Sequence, residues 1–220
     1  MFEMVDSDTL SGCIARSPGQ VDSFAKIMAD VAHVIHGIEV TEEDGFPTVM
    51  ERIRDYISGG VALENEKLGE RCMKLLETLP DTNTLVHGDF HTGNVFLQNG
   101  EPLLIDMDRI SVGHPMVEIS DLYYFYVVLG EDDPSVVEEF MGFSYDTSKE
   151  FFRAFLRHYL GTKDEERLKE VSEKASLIGY SRLIRKIRKK GEVTDNDREK
   201  VKCCLTKISE IVNRLDTLTC

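Results

Sequence analysis

The hydrophobic pattern of this chain changes its period abruptly between residues 84 and 105, and helical patterns flank the change on both sides. Short runs of β-forming residues occupy 84–86, 95–97 and 103–105. Asn99-Gly100, the dipeptide that most strongly favours a tight two-residue hairpin, lies between the last two runs. The pattern therefore predicts a short strand, a loop and a hairpin within a helical chain.

Elsewhere, apolar residues recur every three or four positions, the period of a helix that buries one face. The predicted helices cover 20–36, 48–57, 64–79, 115–129, 148–160, 165–190 and 195–217. Gly59-Gly60 should end the second of them and Pro80 the third. The acidic stretch 131–150 should be a solvated loop or a short helix. The expected fold class is α+β, mainly α.

Composition narrows the range of partners. The chain has 220 residues, of which 41% are hydrophobic, so it can bury a core and should form one large domain or two small ones. Its formal net charge of −14 repels nucleic-acid phosphates and anionic lipids, so we expect neither nucleic acid nor a membrane as a partner. The sequence shows no signal peptide or transmembrane stretch, which predicts a cytoplasmic location. The five cysteines have no paired CxxC spacing and should be reduced thiols.

The residues most suited to chemistry lie in the loop before the hairpin and directly after it. Asp89 and Asn94 have the D-x-x-x-x-N spacing of a phosphotransferase catalytic loop. In such a loop the aspartate accepts the proton of the substrate hydroxyl, and the asparagine holds a metal ion. Asp106 follows the second hairpin strand, where a turn can bring its carboxylate to the same ion. Carboxylate and amide oxygens suit Mg²⁺, which is the ion we expect at Asn94 and Asp106.

Two glycines and two histidines belong to the same loop. Gly88 and Gly93 should permit a tight backbone path that a β-carbon would obstruct. His87, at the loop entry, should pack and form hydrogen bonds rather than act as a base. His91 should be structural, with a hydrogen bond to the loop or to a phosphate as the alternative.

These residues together resemble the signature of the aminoglycoside phosphotransferase and choline kinase family. The resemblance is carried by His87-Gly88-Asp89-Phe90-His91-Thr92-Gly93-Asn94 and by Ile105-Asp106-Met107-Asp108. It implies a protein-kinase-like fold and phosphorylation of a small-molecule hydroxyl with ATP and Mg²⁺. It also implies that Asp89 is the catalytic base and that Asn94 and Asp106 bind magnesium. Asp121 would brace the catalytic loop, and Asp108 is either a further metal ligand or a solvated turn residue.

The resemblance also implies a domain organisation. It covers residues 1–130 well, and the later helices fit the family only in a general way. Residues 1–10 would be a remnant of an interlobe hinge, in which Glu3, Met4 and Val5 contact adenine through the backbone. Residues 11–220 would form a helical C-terminal lobe.

Within that lobe, the catalytic loop would span 87–94 and the metal-binding turn 105–108. We find no phosphate-covering loop and no nucleotide-binding lysine before the hinge, so the expectation is that an N-terminal lobe is missing. The hinge edge would then invite self-association or an N-lobe partner. The acceptor stays open, and a cationic alcohol is one alternative.

Other interpretations remain open at this point. A kinase-like lobe can persist as a catalytically inactive binding module. His87-x-Asp89-x-His91 could instead bind Zn²⁺ in a metal-dependent hydrolase, although that leaves Asn94 and Asp106 without roles. The six basic residues within 182–190 suggest either an anion-binding patch or the solvated face of an amphipathic helix.

Overall fold

The structure is a computed structural model that describes residues 8–219. The helices are α1 (Leu10–Arg16), α2 (Val21–His36), α3 (Met50–Tyr56), α4 (Ala62–Glu64), α5 (Glu66–Leu76), α6 (Met116–Tyr126), α7 (Ser135–Met141), α8 (Tyr145–Leu160), α9 (Glu165–Arg188) and α10 (Asp195–Val212). The strands are β1 (Asp8–Thr9), β2 (Leu85–Val86), β3 (Val95–Gln98), β4 (Glu101–Leu104) and β5 (Ser111–Val112). The chain is mainly helical with small antiparallel sheets, as its hydrophobic pattern predicts. Glu3, Met4 and Val5, the predicted adenine contacts, lie outside the described residues.

The predicted hairpin is present. Strands β3 and β4 pair antiparallel, and Gln98 lies opposite Glu101 at the turn. Asn99 and Gly100 have φ angles of 54° and 86°, the two positive values that this kind of tight turn needs. Strand β1 joins the other edge of β3, so the sheet order is β1-β3-β4.

The loop that carries the predicted base starts at the end of a second sheet, which has two strands. Strand β2 pairs antiparallel with β5, with Leu85 opposite Val112. The segment 87–94 therefore runs from the two-stranded sheet to the three-stranded sheet, and the residues after β4 lead back to the two-stranded sheet at β5. This topology brings the two predicted site segments, 87–94 and 105–108, to one face of the molecule.

Helix packing forms the rest of the core. Helix α2 packs along α8, and α9 lies between α6 and α10. Helix α6 is buried on nearly every side, including its two carboxylates, Glu118 and Asp121. Buried charges need partners: Glu118 finds them at the backbone of the loop, and Asp121 finds them in two arginines from other helices.

The expectation that Gly59-Gly60 ends a helix is wrong. After α3 the chain continues through a π-helical turn, Ile57–Val61, directly into α4. A β-carbon on Gly60 would lie 3.1 Å from the backbone nitrogen of Arg185. The glycine thus permits the close approach of helix α9, and it does not stop the helix.

Boundaries in the acidic stretch also differ from the expectation. It contains the short helix α7, the second of the two alternatives. Helix α8 begins at Tyr145, three residues before the predicted start at 148. The side chain of Ser144 caps it by accepting a hydrogen bond from the backbone N–H of Thr147 (3.2 Å).

No helix within residues 8–219 is both long and apolar enough to cross a membrane. Four of the five cysteines lie in the described range, and all four are free thiols, as predicted: Cys13, Cys72, Cys203 and Cys204.

Candidate active site

The loop after β2 begins at a fully buried histidine. The Nδ1 atom of His87 accepts a hydrogen bond from the backbone N–H of Asp89 (3.2 Å). The Nε2–H group is then free to donate to the carbonyl oxygen of Ile105 (2.9 Å). One ring thereby ties the predicted base to the residue before Asp106. This geometry suits the expected packing and hydrogen-bonding role of His87.

A buried carboxylate from α6 holds the same loop entry. Glu118, which is 1% exposed, accepts hydrogen bonds from the backbone N–H groups of Gly88 (2.8 Å) and His87 (3.3 Å). Its carboxylate also lies 2.9 Å from Nε2 of His36 in α2. Glu118 is not among the residues predicted from the sequence. An acidic residue inside the apolar run of α6 was the signal that could have found it.

Gly88 meets the predicted need for a glycine. Its φ is 81°, in the left-handed region that favours glycine, and a β-carbon there would collide with the carbonyl oxygen of Arg109. At Gly93 the constraint is space alone, because a β-carbon would lie 2.9 Å from Cε1 of His91.

The structure brings the predicted base and metal ligands together. The side-chain amide nitrogen of Asn94 donates to the backbone carbonyl oxygen of Asp89 (2.9 Å). The backbone carbonyl of Asn94 accepts from the N–H of Ile105 (3.0 Å), which places Asp106 directly beside the loop. The Asp89 side chain keeps 21% of its surface exposed, so it is open to a substrate. Asp106 is exposed and adopts a left-handed conformation (φ 60°, ψ 57°).

Magnesium fits the donor atoms that this arrangement leaves free. Because the amide nitrogen of Asn94 is engaged, the amide oxygen of its side chain is the atom left for a cation. Within the described part of the chain, the carboxylate of Asp106 makes no hydrogen bond or ion pair. An amide oxygen and a carboxylate oxygen are hard ligands of the kind Mg²⁺ prefers. Asp108 is also exposed, and its role stays a prediction.

His91 is held in the middle of the loop. Its Nδ1 atom accepts a hydrogen bond from the backbone N–H of Gly93 (3.1 Å), and its ring centroid lies 5.2 Å from that of Phe125 and 5.3 Å from that of Phe140. Burial lowers the pKa of His91, although the Asp89 carboxylate acts in the opposite direction. His91 thus forms the hydrogen bond to the loop that was one of the two alternatives, and its role stays a prediction.

The proposed zinc site of a hydrolase is not formed. Among residues 8–219, no three His, Cys, Asp or Glu side chains are grouped so that they could hold a metal ion. The Nδ1 atoms of both His87 and His91 accept backbone hydrogen bonds, and the remaining ring nitrogen of His87 faces a carbonyl oxygen. The His-x-Asp-x-His spacing therefore reflects loop architecture.

Asp121 reaches the catalytic loop through an arginine. Its carboxylate, 1% exposed, lies 2.6 Å from NH1 of Arg182 in α9 and 3.3 Å from NH2 of Arg52 in α3. Arg52 in turn donates through NH1 to the carbonyl oxygen of Gly88 (2.7 Å). Burial raises the pKa of Asp121, and the two arginines oppose that shift. The predicted bracing role has a physical route in this chain of contacts.

Arg109 lies next to the predicted base. Its NH1 atom is 4.0 Å from a carboxylate oxygen of Asp89, and its side chain is 56% exposed. Neither Arg109 nor Arg52 is among the residues predicted from the sequence. Arg109 could have been noticed as the cation that follows Asp106 by three positions. Arg52 lies 36 residues before Gly88, so only the fold reveals it.

Comparison with models of known protein families identifies a family for this chain. A model of the phosphotransferase enzyme family, abbreviated APH, matches residues 7–171. The matched range includes all of the loop and hairpin residues described above, and it continues through α8 into α9, beyond the 1–130 expected from the sequence. A search of curated proteins found no match.

Proposed function

The chain belongs to the phosphotransferase enzyme family, and from that premise we propose that it transfers the terminal phosphoryl group of ATP to a hydroxyl of a small molecule. The observation that carries the proposal is the grouping of Asp89, Asn94 and Asp106, a base and two oxygen ligands, on one loop and one hairpin. We further propose a protein-kinase-like C-terminal lobe over residues 11–220, with residues 1–10 as part of a hinge. Because ATP is the donor, we place the reaction in the cytoplasm.

Asp89 acts as the general base. The acceptor oxygen attacks the terminal phosphorus of ATP, the bond to the bridging oxygen of ADP breaks, and the hydroxyl proton moves to the Asp89 carboxylate. Two hydrogen bonds hold the backbone of Asp89 and so fix the position of its carboxylate. The backbone N–H donates to His87, and the backbone carbonyl oxygen accepts from Asn94. Positioning of this kind supplies much of the rate in phosphoryl transfer, since the protein has little covalent chemistry to perform.

Asn94 and Asp106 hold the metal ion in this proposal. Bound Mg²⁺ neutralises charge on the phosphate oxygens. The two ligands keep their relative positions because the backbone hydrogen bond from Ile105 N–H to the carbonyl oxygen of Asn94 closes the base of the hairpin. We propose that Glu3, Met4 and Val5 contact the adenine through their backbone.

Strand β1 offers a further contact. It stands at the edge of the three-stranded sheet, and edge strands can pair with a strand from another chain. We propose this edge as the place where a separate N-lobe or a second copy would join.

Substitution of the base tests the function. In Asp89→Asn, kcat with ATP and an alcohol acceptor should fall by about 10²–10⁴-fold, because the proton has no acceptor, while ATP binding persists. ADP release over a panel of small alcohols measures turnover, and calorimetry measures binding. Asp146→Asn, at an exposed position of α8, is the matched control. Wild-type turnover in Asp89→Asn would refute the assigned base, and a wild-type chain inactive with every acceptor would favour the inactive binding module.

A further inference from the structure

Resting on the proposed function, we infer that the acceptor carries an anionic group, a carboxylate or a phosphate, and that a cavity lined by Arg52 and Arg109 beside Asp89 binds it. The cavity has a volume of about 240 Å³. It opens between the start of α3 and the segment that leads into β5. Its lining residues are Pro47, Thr48, Val49, Arg52, Arg109 and Ser111.

Two residues that line the cavity reach the predicted base or the residue before it. Arg109, which lines it, extends to within 4.0 Å of the Asp89 carboxylate. Arg52, which also lines it, donates to the carbonyl oxygen of Gly88, the residue before the base. An acceptor whose charged group occupies the cavity can therefore present a hydroxyl to Asp89 across the length of one side chain.

The arginines keep hydrogen-bonding capacity for a ligand. The guanidinium group of Arg109 makes no hydrogen bond within the described part of the chain, and its contact with Asp89 is a long ion pair at an exposed position. The Nε atom of Arg52 is buried without a partner. Guanidinium groups bind carboxylates and phosphates through paired N–H donors, so this lining matches an anion in geometry as well as in charge.

The charge of the cavity lining points the same way. Among the described residues that line the cavity, Arg52 and Arg109 are charged and none carries a carboxylate. Arg52 also shares the buried carboxylate of Asp121 with Arg182, so that carboxylate does not neutralise both arginines. A positive lining stands out in a chain whose formal net charge is −14. An ammonium group inside the cavity would meet like charge, which disfavours a cationic group there.

The terminal phosphate of ATP is the other possible source of an anion at these arginines. The residues that line the cavity include neither expected metal ligand, Asn94 nor Asp106. We therefore assign the cavity to the acceptor. The test below separates the two sources by loading the nucleotide first.

The test is a titration followed by the arginine side-chain Nε–Hε signals in NMR spectra of the full chain. Sodium phosphate and sodium acetate are the probes, with sodium chloride at matched ionic strength as the reference. We expect saturable shifts of the Arg52 and Arg109 signals with phosphate or acetate and none with chloride. The stronger probe identifies the anionic group. Shifts that track ionic strength alone, without saturation, would overturn the inference.

Variants assign the shifts to the cavity. Arg109→Gln should weaken anion binding by at least about tenfold, the cost of one lost charge-assisted contact. Arg109→Lys keeps the charge but loses the planar guanidinium group, so its anion affinity should lie between those of Arg109→Gln and wild type. Arg153→Gln removes an equally exposed arginine from α8 and should bind like wild type. Equal affinity in Arg109→Gln and Arg153→Gln would overturn the inference.

Loading the protein with nucleotide first distinguishes the two sources of the anion, the acceptor and the terminal phosphate of ATP. With the ATP analogue AMP-PNP and Mg²⁺ bound first, the anion titration should still saturate at Arg52 and Arg109. Loss of the anion shifts in the loaded protein would assign the arginines to the nucleotide and overturn the inference.

Because anion binding needs no turnover, an inactive protein with the expected shifts would count against the proposed function only. Turnover of choline by a chain that binds neither probe would count against the inference only.

Discussion

Two histidines, one in the loop and one just after β5, make the same kind of hydrogen bond to the backbone. The Nδ1 atoms of His91 and His114 each accept a hydrogen bond from the backbone N–H two residues later, that of Gly93 and Met116 respectively. Burial lowers the pKa of both side chains from the ordinary value of 6.5. Protonation would remove the acceptor and add a buried charge.

A pH dependence of stability follows. Below pH 6.5 the unfolded chain takes up protons on these histidines, whereas the folded chain does not until the pH reaches the lowered pKa values. The free energy of unfolding should therefore fall as the pH drops through this window and should level off once both states are protonated. Urea unfolding at a series of pH values measures the slope. His91→Asn combined with His114→Asn keeps an acceptor oxygen and should flatten the curve, so an unchanged slope would contradict the assignment.

Part of the site can be predicted from the spacing of residues in the sequence. Asp89, Asn94 and Asp106 lie within one loop and one hairpin, so short-range spacing predicts their grouping. Glu118, Arg52 and Arg182 come from three other helices, and no local pattern links them to the loop. Their roles depend on long-range packing, which a single sequence does not display.

At the scale of elements, the close contact between α4 and α5 depends on a small residue. Gly69 in α5 faces Ala62 in α4, and a β-carbon on Gly69 would collide with the β-carbon of Ala62. An alanine in a helix ordinarily stabilises by about 0.5–1 kcal/mol relative to glycine, while overpacking costs about 1–3 kcal/mol. We expect Gly69→Ala to lower the free energy of unfolding by about 1–2 kcal/mol.

A double-mutant cycle checks that explanation. In an Ala62→Gly background, Gly69→Ala should no longer be destabilising, because the two side chains exchange places across the contact. Gly191→Ala, where a β-carbon would meet only open space, should be close to neutral. Equal costs of Gly69→Ala in both backgrounds, measured by urea unfolding, would show that steric overlap is not the cause.

Helix periodicity located most elements but not their side-chain partners. The basic residues of 182–190 fit the solvated-face alternative in part, because Lys186, Arg188, Lys189 and Lys190 are exposed, but most of the six also form ion pairs with acids on other elements. The pairs are Arg182 with Asp121, Arg185 and Lys189 with Asp55, Arg188 with Glu64, and Lys190 with Asp197. The pattern gave the face of α9 correctly. It could not show that acidic partners from α3, α4, α6 and α10 would cover that face.

At the scale of the whole molecule, two small sheets organise a helical chain. The sequence predicted the mainly helical class, the hairpin and the strand before the loop. It did not predict that α6 would lie at the centre with two buried carboxylates, or that α3 would run through its glycines into α4. Both features depend on contacts with α9, far along the chain.

The most direct test is a calorimetric titration of the purified chain with ATP, with and without Mg²⁺. If Asn94 and Asp106 hold the metal, ATP should bind in a magnesium-dependent manner, and Asp106→Asn should weaken that binding by at least about tenfold, because it removes a ligand charge. Asparagine also tolerates the left-handed backbone at this position, so the variant should fold. The exposed control Asp146→Asn should bind as wild type does. Equal ATP affinity with and without Mg²⁺, or an Asp106→Asn variant that binds as tightly as wild type, would contradict the proposed metal and nucleotide site.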